Sequence, residues 1–159
     1  MEARQKTNSS QQASAMLDIE TTRFGVVSIE ADKIITFPEG LLGLPEHKDY
    51  CILEHQPGSP FYWLQSVTVP YLAFIVINPL LGEPEYLDNL PLPDRRLFEN
   101  IENEEMLLLA LVTVKPDDPT PLTMNLVGPI LIEQVTQKGR QVVLSTTRYS
   151  CRHPLVLSQ

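Results

Sequence analysis

Two apolar, aromatic runs stand almost back to back between Pro60 and Pro79, and they restrict the possible folds more than anything else in the chain. The first reads Phe61-Tyr62-Trp63-Leu64-Gln65-Ser66-Val67. The second reads Tyr71-Leu72-Ala73-Phe74-Ile75-Val76-Ile77 and stops at Asn78-Pro79. Aromatic and β-branched residues suit extended backbone, and only a short Thr68-Val69-Pro70 connection separates the runs, so they predict an antiparallel hairpin. Side chains alternate between the two faces of a strand, and the second run is apolar at every position. Both of its faces must therefore be covered, as in a central strand of a closed or two-layered sheet.

The rest of the chain repeats the theme in shorter units. Fourteen prolines and few long periodic stretches argue for short strands and frequent turns. Extended segments are expected at Leu17–Thr21, Gly25–Ile29, Ile34–Phe37, Tyr50–Glu54, Thr123–Val127, Pro129–Glu133 and Arg140–Leu144, besides the two central runs. The Gly128-Pro129 step predicts either one strand bent at a bulge or two joined at a corner. Helix is sparse: Leu44-Pro45-Glu46-His47-Lys48 fits a single turn. Pro93–Asn100 fits a short helix, with Pro93 and Asp94 in its first turn and Leu97 and Ile101 at i, i+4. The predicted fold class is mainly β: a single-domain antiparallel β-barrel-like or sandwich fold of about ten short strands with one or two short helices. Residues 16–156 form that domain, between a disordered polar leader over 1–15 and a short tail at 157–159.

Charge narrows the range of partners. The net charge is −8, and from Glu83 to Glu105 eight carboxylates face two arginines. Phosphate binding needs clustered Lys and Arg, so direct nucleic-acid binding is not expected. The acidic stretch is either a solvated face that keeps the protein soluble or a surface for a basic protein partner. No stretch approaches the length of a membrane span or a signal peptide, which predicts a soluble intracellular protein without membrane association. Two distant cysteines, Cys51 and Cys151, form no disulfide framework; Cys51 reads as a small buried hydrophobe.

Candidate chemistry is thin. Cys51 with His55, and Cys151 with His153, lack the tight knuckle spacing of a structural zinc site. Cys151 beside Arg152 and His153 has cationic neighbours that favour a thiolate, but no orienting third group or glycine-rich oxyanion turn accompanies it. No catalytic site, metal or cofactor is expected. Core packing is the leading expectation for Trp63 and its aromatic neighbours. The basic run Arg148-Tyr149-Ser150-Cys151-Arg152-His153-Pro154 has two readings: it ties down an end of the barrel through Arg hydrogen bonds and Tyr149 packing, or it lines a binding surface.

Pro60-Phe61-Tyr62-Trp63-Leu64-Gln65-Ser66-Val67, followed by Leu72-Ala73-Phe74-Ile75-Val76-Ile77-Asn78-Pro79, resembles the core of the FliW family of bacterial flagellar assembly factors. Ile34-Ile35-Thr36-Phe37-Pro38-Glu39-Gly40-Leu41 upstream supports the likeness. So do Lys138-Gly139-Arg140-Gln141-Val142-Val143-Leu144 and Tyr149–Pro154 downstream, and the match runs from about Leu17 to Pro154. The resemblance implies a strand at Met106–Val114, whose leucine-rich start would otherwise suit a helix. It also implies motif positions with structural roles at Phe37, Pro38, Gly40, Phe61, Trp63, Gln65, Ser66, Phe74, Asn78, Pro79, Asn125 and Gly139. Two departures from the family pattern stand out: Leu81-Gly82-Glu83-Pro84 replaces a usually more aromatic stretch, and Cys151 replaces a different residue.

The function that the resemblance implies is that of a cytoplasmic, non-enzymatic assembly factor. Such proteins bind newly made flagellin as a chaperone, and many sequester the RNA-binding translational repressor CsrA, coupling flagellin synthesis to supply. Protein-binding residues are expected at Glu83, Glu85 and Asp88, facing the basic repressor, and at Tyr86, Arg148, Arg152 and His153. The protein is expected to be a monomer. The alternatives are a flagellin chaperone without CsrA control, and a small β-barrel enzyme or metal-binding protein using Cys151, Arg152 and His153.

Overall fold

The computed structural model describes residues 14–99, 101, 105–146 and 148–157. Most of the predicted leader, the final two residues of the tail, and Asn100 at the end of the predicted helix lie outside them. Eleven strands form: β1 (Met16–Thr21), β2 (Gly25–Glu30), β3 (Ile35–Thr36), β4 (Asp49–Glu54), β5 (Tyr62–Ser66), β6 (Ala73–Ile77), β7 (Met106–Val114), β8 (Leu122–Met124), β9 (Ile130–Glu133), β10 (Lys138–Gln141) and β11 (His153–Pro154). Every predicted strand is present, with ends displaced by up to three residues, as where Thr123–Val127 becomes β8 and Arg140–Leu144 becomes β10. β11, inside the basic run, was not foreseen.

The two central runs pair as predicted, with Trp63 opposite Ile75 and Gln65 opposite Ala73. Their connection is organised by the strand end itself. Ser66 Oγ accepts from Thr68 N and Val69 N, while Gln65 Nε2 donates to the carbonyls of Ser66, Pro70 and Leu72. From β5 the sheet continues through β4, β3, β10 and β9 on one side and through β6 to β7 on the other. The first half of β7 then pairs with β9 from Met106↔Glu133 to Leu109↔Ile130, which closes a barrel of seven strands. Every pairing in it is antiparallel except the single β3–β10 bridge.

The second half of β7 pairs with β8, ending at Val112↔Met124. Three steps back along β7, from Val112 to Leu109, thus correspond to six steps forward from Met124 to Ile130. The surplus residues form the corner anticipated at Gly128-Pro129. Asn125 Oδ1 holds that corner by accepting from both Val127 N and Gly128 N. This is the local hydrogen bonding that makes Asn a turn residue.

Alternation along β6 and β7 sends successive residues into two different cores. Phe74, Val76, Leu107, Leu109 and Leu111 face the barrel interior, with Leu64, Tyr50 and Phe37. Ile75, Ile77, Leu108, Ala110 and Val112 face outward, beneath the Pro79–Ile101 excursion and the C-terminal segment. A third cluster forms where the β1–β2 hairpin lays Ile19 and Ile29 over Cys51. The all-apolar second run is thereby covered on both faces, and Val76 and Ile77 are fully buried.

Helix is scarcer than expected. Leu44–Lys48 makes the single turn expected of it, His47 N donating to Leu44 O, and goes no further towards helix; Leu41 and Leu44 form an isolated bridge, and Lys48 Nζ donates to the Pro38 and Pro45 carbonyls. The predicted Pro93 helix exists as α1 (Leu92–Arg95) and runs on as a 3-10 turn over Arg96–Phe98. Its buried apolar anchor is Phe98, whereas Leu97 is exposed. Asp94 does more than favour a helix N-terminus. It is buried, and its carboxylate accepts from Ser145 N and Oγ, tying the excursion to the strand-like segment after β10.

Candidate functional site

The acidic excursion and the C-terminal basic run, far apart in sequence, meet on the outer face. Glu83 is the junction: Tyr149 Oη donates to its carboxylate at 3.0 Å, and His153 Nε2 lies 3.7 Å from the other oxygen. Asn89 Nδ2 donates to Tyr149 Oη at 3.0 Å, and the His153 ring stands edge-on to the Tyr149 ring. Burial raises the Tyr149 phenol's pKa, Asn89's hydrogen bond opposes that shift, and Glu83 adds to it. Glu85 and Asp88 remain exposed, as do Arg148 and Arg152.

The expected protein-binding residues therefore divide. Glu85 and Asp88 present free carboxylates to solvent. Glu83 and His153 contact each other. Tyr86 cannot touch a partner: it is fully buried, its hydroxyl donates to the Leu126 carbonyl at 2.6 Å, and its ring packs edge-on against Tyr149. Burial, then the Tyr149 and Asp94 charges, raise its phenol's pKa well above the ordinary range.

The C-terminal run anchors the barrel wall, but not through arginine. Among the described residues neither Arg148 nor Arg152 uses its guanidinium in a hydrogen bond or ion pair; both side chains point into solvent. Anchoring comes from Tyr149, from the two β11–β8 pairs, and from Leu155, which is buried and donates its N–H to Leu122 O. Gly82 packs against Leu155: a Cβ there would lie 2.6 Å from Leu155 Cδ1 and push that side-chain end aside.

Trp63 also departs from expectation. It sits on the outer face of the barrel, half-buried, and belongs to none of the three cores. Arg23, at the tip of the β1–β2 hairpin, lies over its ring at 4.6 Å, Phe24 meets it edge-on, and Nε1 donates to His55 Nδ1 at 3.4 Å. Trp63, Phe61, Ile75, Val114 and Leu122 line a shallow apolar groove between the hairpin and the outer covering layer. Several other motif positions make contacts within the fold. Gly139 leaves room for the Phe37 ring, where a Cβ would approach within 2.6 Å. Gly40 takes a left-handed conformation at φ +68°. Asn78 Oδ1 accepts from Leu80 N ahead of the buried Pro79, capping a 3-10 turn.

The cysteines stand apart. Cys51 is buried, and burial pushes its thiol up to about 11. Cys151 is exposed. Among the described residues no three His, Cys, Asp or Glu side chains converge on a point that would hold a metal ion. No helix among them is long and apolar enough to cross a membrane.

The architecture defines a class: a small closed β-barrel whose polar groups are concentrated on outer faces and on the segments strapped across them. Its relatives are specific. The family model described as FliW protein matches residues 18–155. The flagellar assembly factor FliW of Natranaerobius thermophilus is 37% identical over 143 residues, covering 90% of this chain and 95% of that protein. The protein of the same name from Geobacter sulfurreducens is 38% identical over 138 residues, covering 87% of this chain and 86% of that one. A crystal structure of the flagellar assembly factor FliW superposes with a TM-score of 0.72 at 32% identity, covering 90% of this chain and 99% of that chain. The chain belongs to the FliW family.

Several site residues escaped the sequence reading. Asn89, Gly82 and Leu155 carry no local motif, since each acts on residues more than 30 positions away. The only available signal was the lack of an evident core role for the basic run.

Proposed function

We propose that this protein is a flagellar assembly factor that works in the cytoplasm as a monomer, without catalysis. It binds flagellin as a chaperone and sequesters a CsrA-type RNA-binding repressor, coupling flagellin synthesis to supply. The observation that carries the reading is the exposed acidic excursion: Glu85 and Asp88 stand in solvent on a chain of net charge −8 whose apolar strands are consumed in three internal clusters. A basic RNA-binding protein docks on such a face by charge complementarity, and the same carboxylates repel the RNA phosphates that compete for it. Membership of a family whose curated members are called flagellar assembly factors supports the setting. Unassembled flagellin exposes apolar segments, and the Trp63 groove suits such a segment.

A competition experiment tests the reading. The protein is mixed with purified repressor and a labelled flagellin messenger leader, and flagellin is then titrated in. The expected outcome is RNA released from inhibition by this protein being recaptured by the repressor as flagellin is added. Repressor that never binds the protein leaves flagellin chaperoning alone, and absence of binding to either partner overturns the proposal.

A further inference from the structure

We infer that residues 148–157 are a built-in occupant of a peptide-binding groove, and that a basic extended segment of a partner polypeptide, carrying an aromatic and an aliphatic anchor, replaces them there. The inference rests on reading the chain as a polypeptide-binding protein, but it invokes no particular partner.

The segment contacts the barrel in the manner of a bound peptide. Two side chains are sunk: Tyr149 against Tyr86, and Leu155 on Gly82 and Met124. Ser150, Cys151, Arg152 and Pro154 between them are exposed, and Val156 beyond them is 75% exposed. Backbone pairing adds a short strand to the edge of β8 through His153↔Met124 and Pro154↔Thr123, flanked by Leu155 N donating to Leu122 O and Leu126 N donating to Ser150 O. Pro154 has no N–H to donate to that ladder. Edge addition with a few pocketed anchors is how sheet edges capture extended peptides.

Charge describes the occupant. The segment brings His153 to a wall that holds Glu83, which takes Tyr149 and His153 as its partners, while Arg148 and Arg152 stand exposed on the segment's outer side. Glu85 and Asp88 lie exposed on the same excursion. The groove also does not end at the segment. Leu155 N donates to Leu122 O, and Leu122 lines the open apolar groove of Phe61, Trp63 and Ile75. Displacing the segment would join the two into one longer track.

The probe is a fluorescent synthetic peptide with the sequence of residues 148–157, carrying Ser in place of Cys151, titrated into the full-length protein by anisotropy. The wild type is expected to bind it weakly, because its own segment competes at an effective concentration on the order of mM. The full-length double variant Tyr149→Ala/Leu155→Ala, stripped of its own anchors, is expected to bind it at least about tenfold more tightly. Adding Gly82→Leu, which fills the Leu155 seat, is expected to abolish that gain. A folded double variant that takes no peptide overturns the inference. Should the double variant fail to fold, hydrogen exchange on the wild type decides. The Leu155 and Leu126 amides, bonded to Leu122 O and Ser150 O, should exchange at least about 100-fold faster than those of the β6–β7 ladder. Equal protection overturns the inference.

Discussion

At the scale of single residues, burial decides what each group contributes. Tyr86 looked like a surface aromatic in an acidic stretch, yet its hydroxyl satisfies the carbonyl of Leu126 at the bulge between β8 and β9. Tyr86→Phe should leave that carbonyl without its partner and destabilise the protein by about 1–2 kcal/mol in chemical denaturation. An unchanged midpoint would contradict the assignment. Cys51 makes a pH-dependent contribution. Its thiol is raised from an ordinary 9.0 to about 11 in the folded state, so the native protein holds that proton more tightly than the unfolded chain. The resulting stability is fully present below pH 9.0 and is lost as pH rises through about 11. Denaturation midpoints of the wild type should therefore fall more steeply across that window than those of Cys51→Ala. In the native protein at neutral pH a thiol reagent should modify Cys151 rapidly and Cys51 only on unfolding.

Elements show how far local pattern reaches. The strands were legible because alternation and turn residues are local signals: β5 and β6 form the hairpin that their composition requires. Register, closure and end-caps were not, because they depend on partners distant in the chain. Asp94 satisfies a helix-start rule, yet its main partner is Ser145. The Glu83–Tyr149 contact joins residues 66 positions apart, so no spacing rule announces it. β11 was missed because two residues carry no periodicity. The turn after β3 illustrates a motif whose purpose only packing explains. Gly40 is left-handed, and a Cβ there would lie 2.4 Å from the Leu44 carbonyl oxygen. Gly40→Ala should cost on the order of 2 kcal/mol or more and lower the melting temperature by several degrees. A neutral substitution would mean that the turn relaxes freely.

For the molecule as a whole, the barrel gathers the apolar residues of its strands into three clusters and leaves the Glu85 and Asp88 carboxylates exposed on an outer face. Glu83 is a poor place to probe that face, because reversing it also breaks its contacts with Tyr149 and His153. Glu85 and Asp88 are exposed and free of such ties, so changing them isolates recognition from folding. Binding of a basic partner through this face should weaken with added salt, as screening over about 10 Å at 0.1 M requires. The most direct measurement is calorimetric titration of the CsrA-type repressor into wild-type protein and into Glu85→Lys/Asp88→Lys, with the melting temperature of each recorded. The double variant should lose affinity by at least about tenfold with its melting temperature unchanged. Equal affinity in the two proteins would contradict it.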